Sequence, residues 1–186
     1  PEMAADKDEA EAASFKVIEY AMKLMEDHKA NPKKDIIGAL IEGNGKDEGL
    51  SDDEFVWFFL MLIAAGNEST RTVTTQGMRL LMENPDQLQY LVDNPDKIPG
   101  ACEEMLRYNT AFTLMRRQCM KDTEVGGQLI KKGDKVIMHY HTVNHDESIF
   151  GEDAMQFDVK RAERMPDLYN QHRAFGIGQH FCLGTH

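Results

Sequence analysis

The stretch that decides the fold of this chain is FGIGQHFCLG, residues 175–184. It holds three glycines and one cysteine within ten positions. Because glycine accepts backbone conformations that other residues avoid, this composition predicts a backbone that turns tightly and approaches another group closely. A nucleotide-binding loop would explain Gly176-x-Gly178, but Phe181 stands where that motif needs its third glycine, and no buried strand precedes the stretch.

The other explanation is a loop that presents the thiolate of Cys182 to a metal. Glycines allow amide N–H groups to point at the sulfur, and a helix beginning at the cysteine would add the positive end of its dipole. One cysteine cannot complete a zinc site. A single thiolate without a second protein ligand suits haem iron, where the porphyrin supplies the equatorial ligands.

Residues 175–184 resemble the F-x-x-G-x-x-x-C-x-G signature of the haem-thiolate monooxygenases, the cytochromes P-450, and every fixed position matches. The resemblance implies a partial cytochrome P-450 fold and heme b, iron protoporphyrin IX, as the cofactor. It implies that Cys182 is the metal ligand. It also places three further residues of the loop against the cofactor: Phe175, Gly176 and Gly184.

A second motif is AAGNEST, residues 64–70, which lies inside an apolar stretch that is predicted to be helical. Glycine, asparagine, serine and threonine all weaken a helix interior. A carboxylate among apolar residues is costly unless it is solvated or used. One interpretation is an exposed i,i+3 pair of Glu68 with Arg71, worth about 0.2–0.5 kcal/mol.

The same stretch resembles the family's [A/G]-G-x-[D/E]-T motif, in which a distorted helical turn leaves room for dioxygen. The resemblance places Ala65 and Gly66 at the cofactor. It gives Glu68 and Ser69 the catalytic role of relaying protons during cleavage of the O–O bond. Serine stands where threonine is usual, so the hydroxyl is kept on a less restricted side chain.

A third motif, Glu104-x-x-Arg107, matches the family's E-x-x-R, whose charges are buried and stabilise the fold rather than react. On its own it would be an ordinary surface pair. Its position between the other two motifs, in the order that the family has, strengthens the resemblance.

Cationic and N–H donors are needed for the two carboxylates of a buried haem. By the resemblance, three positions match residues that bind these propionates: Arg117, His172 and His180. Arg116 is an alternative to Arg117, since neighbouring strand residues face opposite sides.

Composition excludes several classes of function. The 186 residues carry a net charge of −11 without a block of lysine or arginine, which argues against nucleic acid or an anionic membrane as partner. The apolar run at residues 55–65 is shorter than the roughly 18 residues of a membrane span. Three cysteines without paired spacing suit a reducing compartment, so a cytoplasmic location is expected.

The pattern along the chain predicts helices first and a small β-sheet later, a mainly α, α+β domain. An amphipathic helix is expected over residues 6–29, and a polar loop over 43–49. A capping box formed by Ser51 and Glu54 predicts the start of a long helix that ends near Glu83. The first third of that helix, residues 55–63, is apolar on every face and is expected to be buried all round.

Short apolar and polar segments follow the long helix. Two shorter helices are predicted over residues 86–92 and 98–108, and strands over 112–120, 123–130 and 135–140. Residues 141–174 lack periodicity and are expected to be extended and rich in loops.

The resemblance covers roughly residues 51–184, the C-terminal half of the family. The chain starts with proline and ends just after the cysteine loop, so residues 1–186 are expected to form a single partial domain without the family's N-terminal half. By the resemblance, the parent enzyme hydroxylates an unactivated C–H bond of a small hydrophobic substrate, using O2 and two electrons. Alkanes, fatty acids, terpenes and sterol side chains are candidate substrates, and a ferredoxin with its reductase is the expected electron donor.

Two other hypotheses remain open. Alternate strand residues share a face, so His139 and His141, together with His145, could bind a non-haem metal. Twelve methionines could instead give a helical interaction module an adaptable apolar surface, although methionine more often fills a core.

Overall fold

The computed structural model describes residues 7–43 and 49–185, with the side chains of residues 11–43 and 49–185. The helices are α1 (Lys7–Ala30), α2 (Ile36–Glu42), α3 (Asp52–Glu83), α4 (Pro85–Asp93), α5 (Ile98–Tyr108), α6 (Tyr140–Val143), α7 (Glu147–Phe150), α8 (Arg161–Arg164) and α9 (Leu168–Gln171). The strands are β1 (Leu114–Gln118), β2 (Thr123–Val125), β3 (Gln128–Ile130) and β4 (Lys135–His139). Short 3-10 turns occupy Pro95–Lys97, Gly178–His180 and Leu183–Thr185.

The predicted fold class, mainly α with a small β region, is confirmed by this element order. The prediction of a loop-rich segment over residues 141–174 was wrong in part, because this segment contains four single turns of helix, α6 to α9. One turn is too short for an apolar repeat to appear in the sequence. The predicted polar loop over 43–49 falls mostly outside the described residues.

The chain divides into two compact units, Pro1–Asn67 and Glu68–His186, and the boundary falls within α3. In the first unit the core is formed by Ala21 and Met25 of α1 with Phe55 and Phe59 of α3. Both pairs are four residues apart, so each helix contributes one face. The two phenylalanine rings stack with their centroids 6.1 Å apart.

The capping box at the start of α3 is present as predicted. The Ser51 hydroxyl lies 2.7 Å from Oε2 of Glu54, and the backbone N–H of Ser51 donates to the same oxygen at 3.0 Å. The hydrogen bonds with Ser51 lower the pKa of Glu54. This box fixes where α3 begins.

Complete burial of residues 55–63 was a wrong prediction. Phe55 and Phe59 are buried, whereas Trp57 is 68% exposed and Met61 53% exposed. Within the described part of the first unit, the core lies against one face of α3 only.

In the second unit, one core cluster joins α3, α4 and α5 to the segment before α8, and a smaller one lies around Phe150 and Leu168. Among the described residues the strands form two antiparallel pairs, β1 with β4 and β2 with β3. The β2–β3 hairpin turns at Gly126 and Gly127, whose φ angles of 57° and 77° match the two-residue turn favoured between twisted strands.

Within residues 7–43 and 49–185, no helix combines the length and the apolar character that crossing a membrane requires.

Candidate haem-thiolate site

The loop over residues 175–184 closes on itself through the backbone. The amide of Cys182 donates to the carbonyl of Phe175 at 3.0 Å, and the amide of Phe181 donates to the carbonyl of Gly178 at 3.0 Å. Gly176 and Gly178 have φ angles of 75° and 81°, a region that L side chains rarely adopt. The glycines are therefore required by backbone conformation, as the sequence predicted.

The thiol of Cys182 lies on the exposed side of this loop. The amide of Gly184 donates to its Sγ at 3.4 Å, and the 3-10 turn Leu183–Thr185 follows directly. An N–H group that points at sulfur stabilises negative charge on that sulfur. Large apolar side chains on both sides of Cys182 are exposed: Ile177 (69%), Phe181 (43%) and Leu183 (70%).

This donor set fits a haem. One exposed sulfur is flanked by apolar side chains, which suits a flat, largely apolar ligand that brings its own equatorial donors. Among the described residues, no group of three or more His, Cys, Asp or Glu side chains is arranged to hold a metal ion. Cys182 would contribute the sulfur and the surrounding loop the apolar contact.

The helix α5 carries a buried charge network. Glu104 and Arg107 are both fully buried, and the Arg107 guanidinium donates to the two carboxylate oxygens at 2.6 and 2.8 Å. Arg107 also donates to the carbonyls of Asn144 (2.6 Å), Ala154 (2.8 Å) and Gln156 (3.1 Å). These contacts tie α5 to the segment that leads into α8.

Arg161 of α8 is the third member of this network, and sequence reasoning missed it. It is fully buried, and its Nε donates to Glu104 at 3.1 Å across 57 residues of chain. It also donates to the carbonyls of Phe150 and Asp153 at 3.0 and 2.9 Å. No local spacing links residues 104 and 161, so no sequence signal connects them.

The structure gives His172 a protein partner rather than an open position for a propionate. Its side chain is 1% exposed, and Nε2 lies 2.9 Å from Oε2 of Glu103. The backbone amide of Ala174 donates to its Nδ1 at 3.3 Å. The ring is thus held by Glu103 and the Ala174 amide, and its assignment to a propionate stays a prediction.

The other expected propionate partners are exposed. Arg117 lies on β1 opposite Val136 of β4, and its Nη1 donates to the carbonyl of Arg116 at 3.1 Å. His180 ends the 3-10 turn Gly178–His180, two residues before Cys182. Both side chains are accessible to an anionic group.

The motif at residues 64–70 forms unbroken α-helix within α3, so the locally distorted turn that was expected there is not found. Glycine and serine cost a helix only about 0.5–1 kcal/mol each, which the rest of this 32-residue helix tolerates. A Cβ added to Gly66 would meet no atom within 4 Å. Ala65 is exposed, and the Ser69 side chain is half-buried.

Glu68 forms the i,i+3 pair with Arg71 that the sequence left open as one interpretation. Arg71 Nη2 lies 2.5 Å from Oε2 of Glu68, and both side chains are about two-thirds exposed. Such a pair contributes well below 1 kcal/mol. It therefore holds the carboxylate in place only weakly.

The three histidines of the non-haem alternative do lie together. The ring centroids of His141 and His145 are 4.2 Å apart and nearly parallel, and those of His139 and His141 are 6.4 Å apart. Two of their ring nitrogens have protein partners: His139 Nδ1 lies 2.8 Å from the Thr142 hydroxyl, and His145 Nδ1 lies 2.8 Å from the His141 carbonyl. Burial lowers the pKa of His145. The cluster is a stacked packing unit, and it gives the non-haem metal hypothesis no support.

Comparison with known proteins places this chain in a family. The cytochrome P450 family model matches residues 3–186. The chain is 42% identical over 183 residues to a steroid C26-monooxygenase of Mycolicibacterium smegmatis, covering 97% of this chain and 40% of that protein. It is 39% identical over 168 residues to a linalool 8-monooxygenase of Pseudomonas putida, covering 89% and 39%.

Solved structures give the same result. CYP109E1 from Bacillus megaterium in complex with corticosterone matches with a TM-score of 0.87 at 29% identity, over 99% of this chain and 49% of that one. Mycobacterium marinum CYP268A2 in complex with pseudoionone matches with a TM-score of 0.80 at 34% identity, over 92% and 40%. The chain thus spans about two fifths of the length of the curated relatives compared here. It belongs to the cytochrome P450 family.

Proposed function

We propose that this chain supplies the haem-binding and oxygen-activating part of a monooxygenase that hydroxylates an unactivated C–H bond of a small hydrophobic substrate. The observation that carries the proposal is the exposed Cys182 thiol, held in a glycine-shaped loop with the Gly184 amide directed at its sulfur. Membership of the cytochrome P450 family supports it. As the relatives are more than twice as long, the activity belongs to the whole protein.

The cofactor in this proposal is heme b, and Cys182 is the residue whose sulfur would bind its iron. Bound haem supplies the iron at which O2 is activated with two electrons. The loop residues Phe175, Gly176 and Gly184 are proposed to contact the haem beside Cys182. Ala65 and Gly66 are proposed as further cofactor-binding residues. Arg117 and His180 are exposed and can reach anionic propionates, whereas His172 is already bound to Glu103.

Glu68 and Ser69 are proposed as the catalytic proton carriers. The hydroxyl of Ser69 can donate a proton from Oγ, and the carboxylate of Glu68 can return one to it from water. Because the exposed pair of Glu68 with Arg71 is weak, releasing the carboxylate costs little. Glu104 and Arg107 have no part in proton transfer, since both are fully buried in a hydrogen-bonded network.

For the substrate, a sterol or terpene side chain is favoured over an alkane or fatty acid. Relatives named steroid C26-monooxygenase and linalool 8-monooxygenase support that choice. A ferredoxin and its reductase are the proposed electron donors, and the cytoplasm is the proposed location. Residues 1–186 are proposed to act as one partial domain of the enzyme.

The ligand assignment is tested by replacing Cys182 with serine in the haem-loaded protein. Cys182→Ser should abolish the thiolate-specific absorption of the reduced carbon monoxide complex, because an alcohol oxygen replaces the thiolate. Cys102→Ser is the matched control, since Cys102 lies on α5 and outside residues 175–184, and it should leave that absorption unchanged. An unaltered spectrum in Cys182→Ser would refute the assignment.

The proton relay is tested separately. Ser69→Ala should raise the hydrogen peroxide released per electron consumed, because the donor hydroxyl is lost. Thr74→Ala removes a hydroxyl from the same helix, one that donates to the Thr70 carbonyl, and should leave coupling at the parental level. Tight coupling in Ser69→Ala would remove Ser69 from the relay.

A further inference from the structure

His172 lies where the chain enters the cysteine loop, directly after α9. Its ring is buried, and Nε2 is 2.9 Å from the carboxylate of Glu103 on α5, 69 residues away in sequence. The Glu103 side chain is 28% exposed. Nothing in the sequence motifs connects the two residues.

The hydrogen bonds define which nitrogen carries the proton. Because the amide of Ala174 donates to Nδ1, that nitrogen is an acceptor, and Nε2 must carry the hydrogen that is donated to Glu103. Both ring nitrogens are therefore engaged with protein atoms. No polar atom of this ring remains for a ligand.

From His172 a short path leads to the thiolate. The ring centroid of Phe175 lies 5.9 Å from that of His172, and 6.4 Å from that of Phe181. The carbonyl of Phe175 accepts the amide of Cys182 at 3.0 Å. A displacement of His172 is thus transmitted to the backbone that carries the sulfur.

A second set of hydrogen bonds holds the segment that leads into the cysteine loop. The side-chain oxygen of Asn144 accepts the amide of Arg173 at 2.7 Å, and its carbonyl accepts Arg107 at 2.6 Å. Arg107 belongs to the buried network of Glu104. The adjacent residues Glu103 and Glu104 therefore hold two different segments on one rigid helix.

We infer that Glu103 and His172 are positioning residues, which set the place of the Cys182 thiolate through a buried hydrogen bond rather than through contact with the cofactor. The inference rests on the proposed function, because it takes Cys182 as the haem ligand. Without this bond, residues 172–175 can shift and the thiolate is more readily lost from the iron.

The test uses the haem-loaded protein and its reduced carbon monoxide complex. The measured quantity is the ratio of complex without the thiolate-specific absorption to complex with it. Glu103→Ala removes a charge-assisted hydrogen bond and should raise this ratio about tenfold. Glu103→Gln keeps an acceptor oxygen for Nε2–H, and since a neutral bond is about half as strong, the ratio should rise only about threefold.

Tyr90→Phe is the matched control. It removes another hydrogen bond to a carboxylate that links distant segments of the same unit, from the Tyr90 hydroxyl to Glu163 at 2.7 Å. Its spectrum should be that of the parent, because neither residue touches the loop. A general loss of stability would move all three variants alike.

The possible results distinguish a failure of this inference from a failure of the proposed function. If both Glu103 variants keep the parent's ratio of the two complexes, or change it no more than Tyr90→Phe does, the inference is overturned and the proposed function is not. A loss of thiolate absorption in His172→Ala with none in Glu103→Ala would also overturn it, because His172 would then act on the cofactor directly. Should Glu103→Ala fail to fold, Glu103→Gln decides by the same criterion. A parent protein that itself lacks the thiolate absorption would instead overturn the proposed function, and the inference with it.

Discussion

Replacing Glu104 with glutamine should remove a large part of the stability of this protein. The Glu104 carboxylate is fully buried and accepts four hydrogen bonds: Arg107 Nε at 2.6 Å, Arg107 Nη2 at 2.8 Å, Arg161 Nε at 3.1 Å and the Asp158 amide at 3.0 Å. A glutamine of the same shape keeps one oxygen and turns an NH2 group toward donors. The buried Arg107 guanidinium then lacks its counter-charge, and Arg161 keeps only its ion pair with Asp153 at 3.1 Å.

The magnitude follows from that geometry. Breaking a buried ion pair on one side costs about 3–5 kcal/mol, because the remaining charge stays desolvated. Domains are typically stable by about 5–15 kcal/mol, so the free energy of unfolding should fall by about a fifth or more. With a urea dependence of about 1–3 kcal/mol per M, the unfolding midpoint should drop by about 1 M or more.

The assay is urea unfolding followed by circular dichroism, with parent and variants at equal haem occupancy, since a ligand that binds only the folded state adds its own stabilisation. Glu83→Gln is the matched control. It breaks an i,i+4 pair in which Arg79 donates to both carboxylate oxygens at 2.7 and 2.8 Å, but both side chains are about half exposed. Its cost should be about 0.3–0.5 kcal/mol. Equal losses in Glu104→Gln and Glu83→Gln would refute the argument that burial decides the energy.

Two further predictions concern local features. The hydrogen bond with Asp35, and to a smaller extent that with the Leu24 carbonyl, raises the pKa of His28. The stability that protonated His28 adds to the fold is therefore complete below its ordinary pKa of about 6.5 and is lost as pH rises through the raised pKa. The difference in melting temperature between the parent and His28→Gln should therefore be largest below pH ~6.5 and shrink as the pH rises through the raised pKa; a difference that grows with pH would contradict this. Gly66→Ala should stabilise the protein by about 0.5–1 kcal/mol, because an added Cβ meets no atom within 4 Å in a helix interior, whereas Gly178→Ala should cost about 1–2 kcal/mol at a φ of 81°. Thermal unfolding of both variants checks the opposite signs, and a shared sign would show that backbone conformation is not the deciding difference.

The sequence predicted the parts of the site that depend on near neighbours along the chain. The ten-residue loop at 175–184 carries its own turns, since the glycines at 176 and 178 are needed for φ angles of 75° and 81°. The start of α3 could also be predicted from the sequence, because a capping box is complete within four residues. In these cases the partner atoms lie within a few residues of each other.

Solvent exposure along α3 could not be read in this way. Residues 55–63 are apolar on every side, yet Trp57 and Met61 are exposed while Phe55 and Phe59 are buried. Periodicity records which residues could be buried, but the neighbouring elements decide which ones are. The same holds for the motif at 64–70, where composition favoured a distorted turn and the structure has regular helix.

The sequence alone determined which reactive and charged side chains are present. These are one loop cysteine among glycines, an acid and a hydroxyl inside an apolar helix, and the pair Glu104-x-x-Arg107. What only the tertiary structure decided is which of these charges are buried and what they hold. Glu104 and Glu68 each have an arginine three residues later, but one pair is fully buried and joined by Arg161, while the other is exposed. Likewise His172 pairs with Glu103 across 69 residues. Such contacts depend on how distant segments pack, and local residue spacing contains no information about that packing.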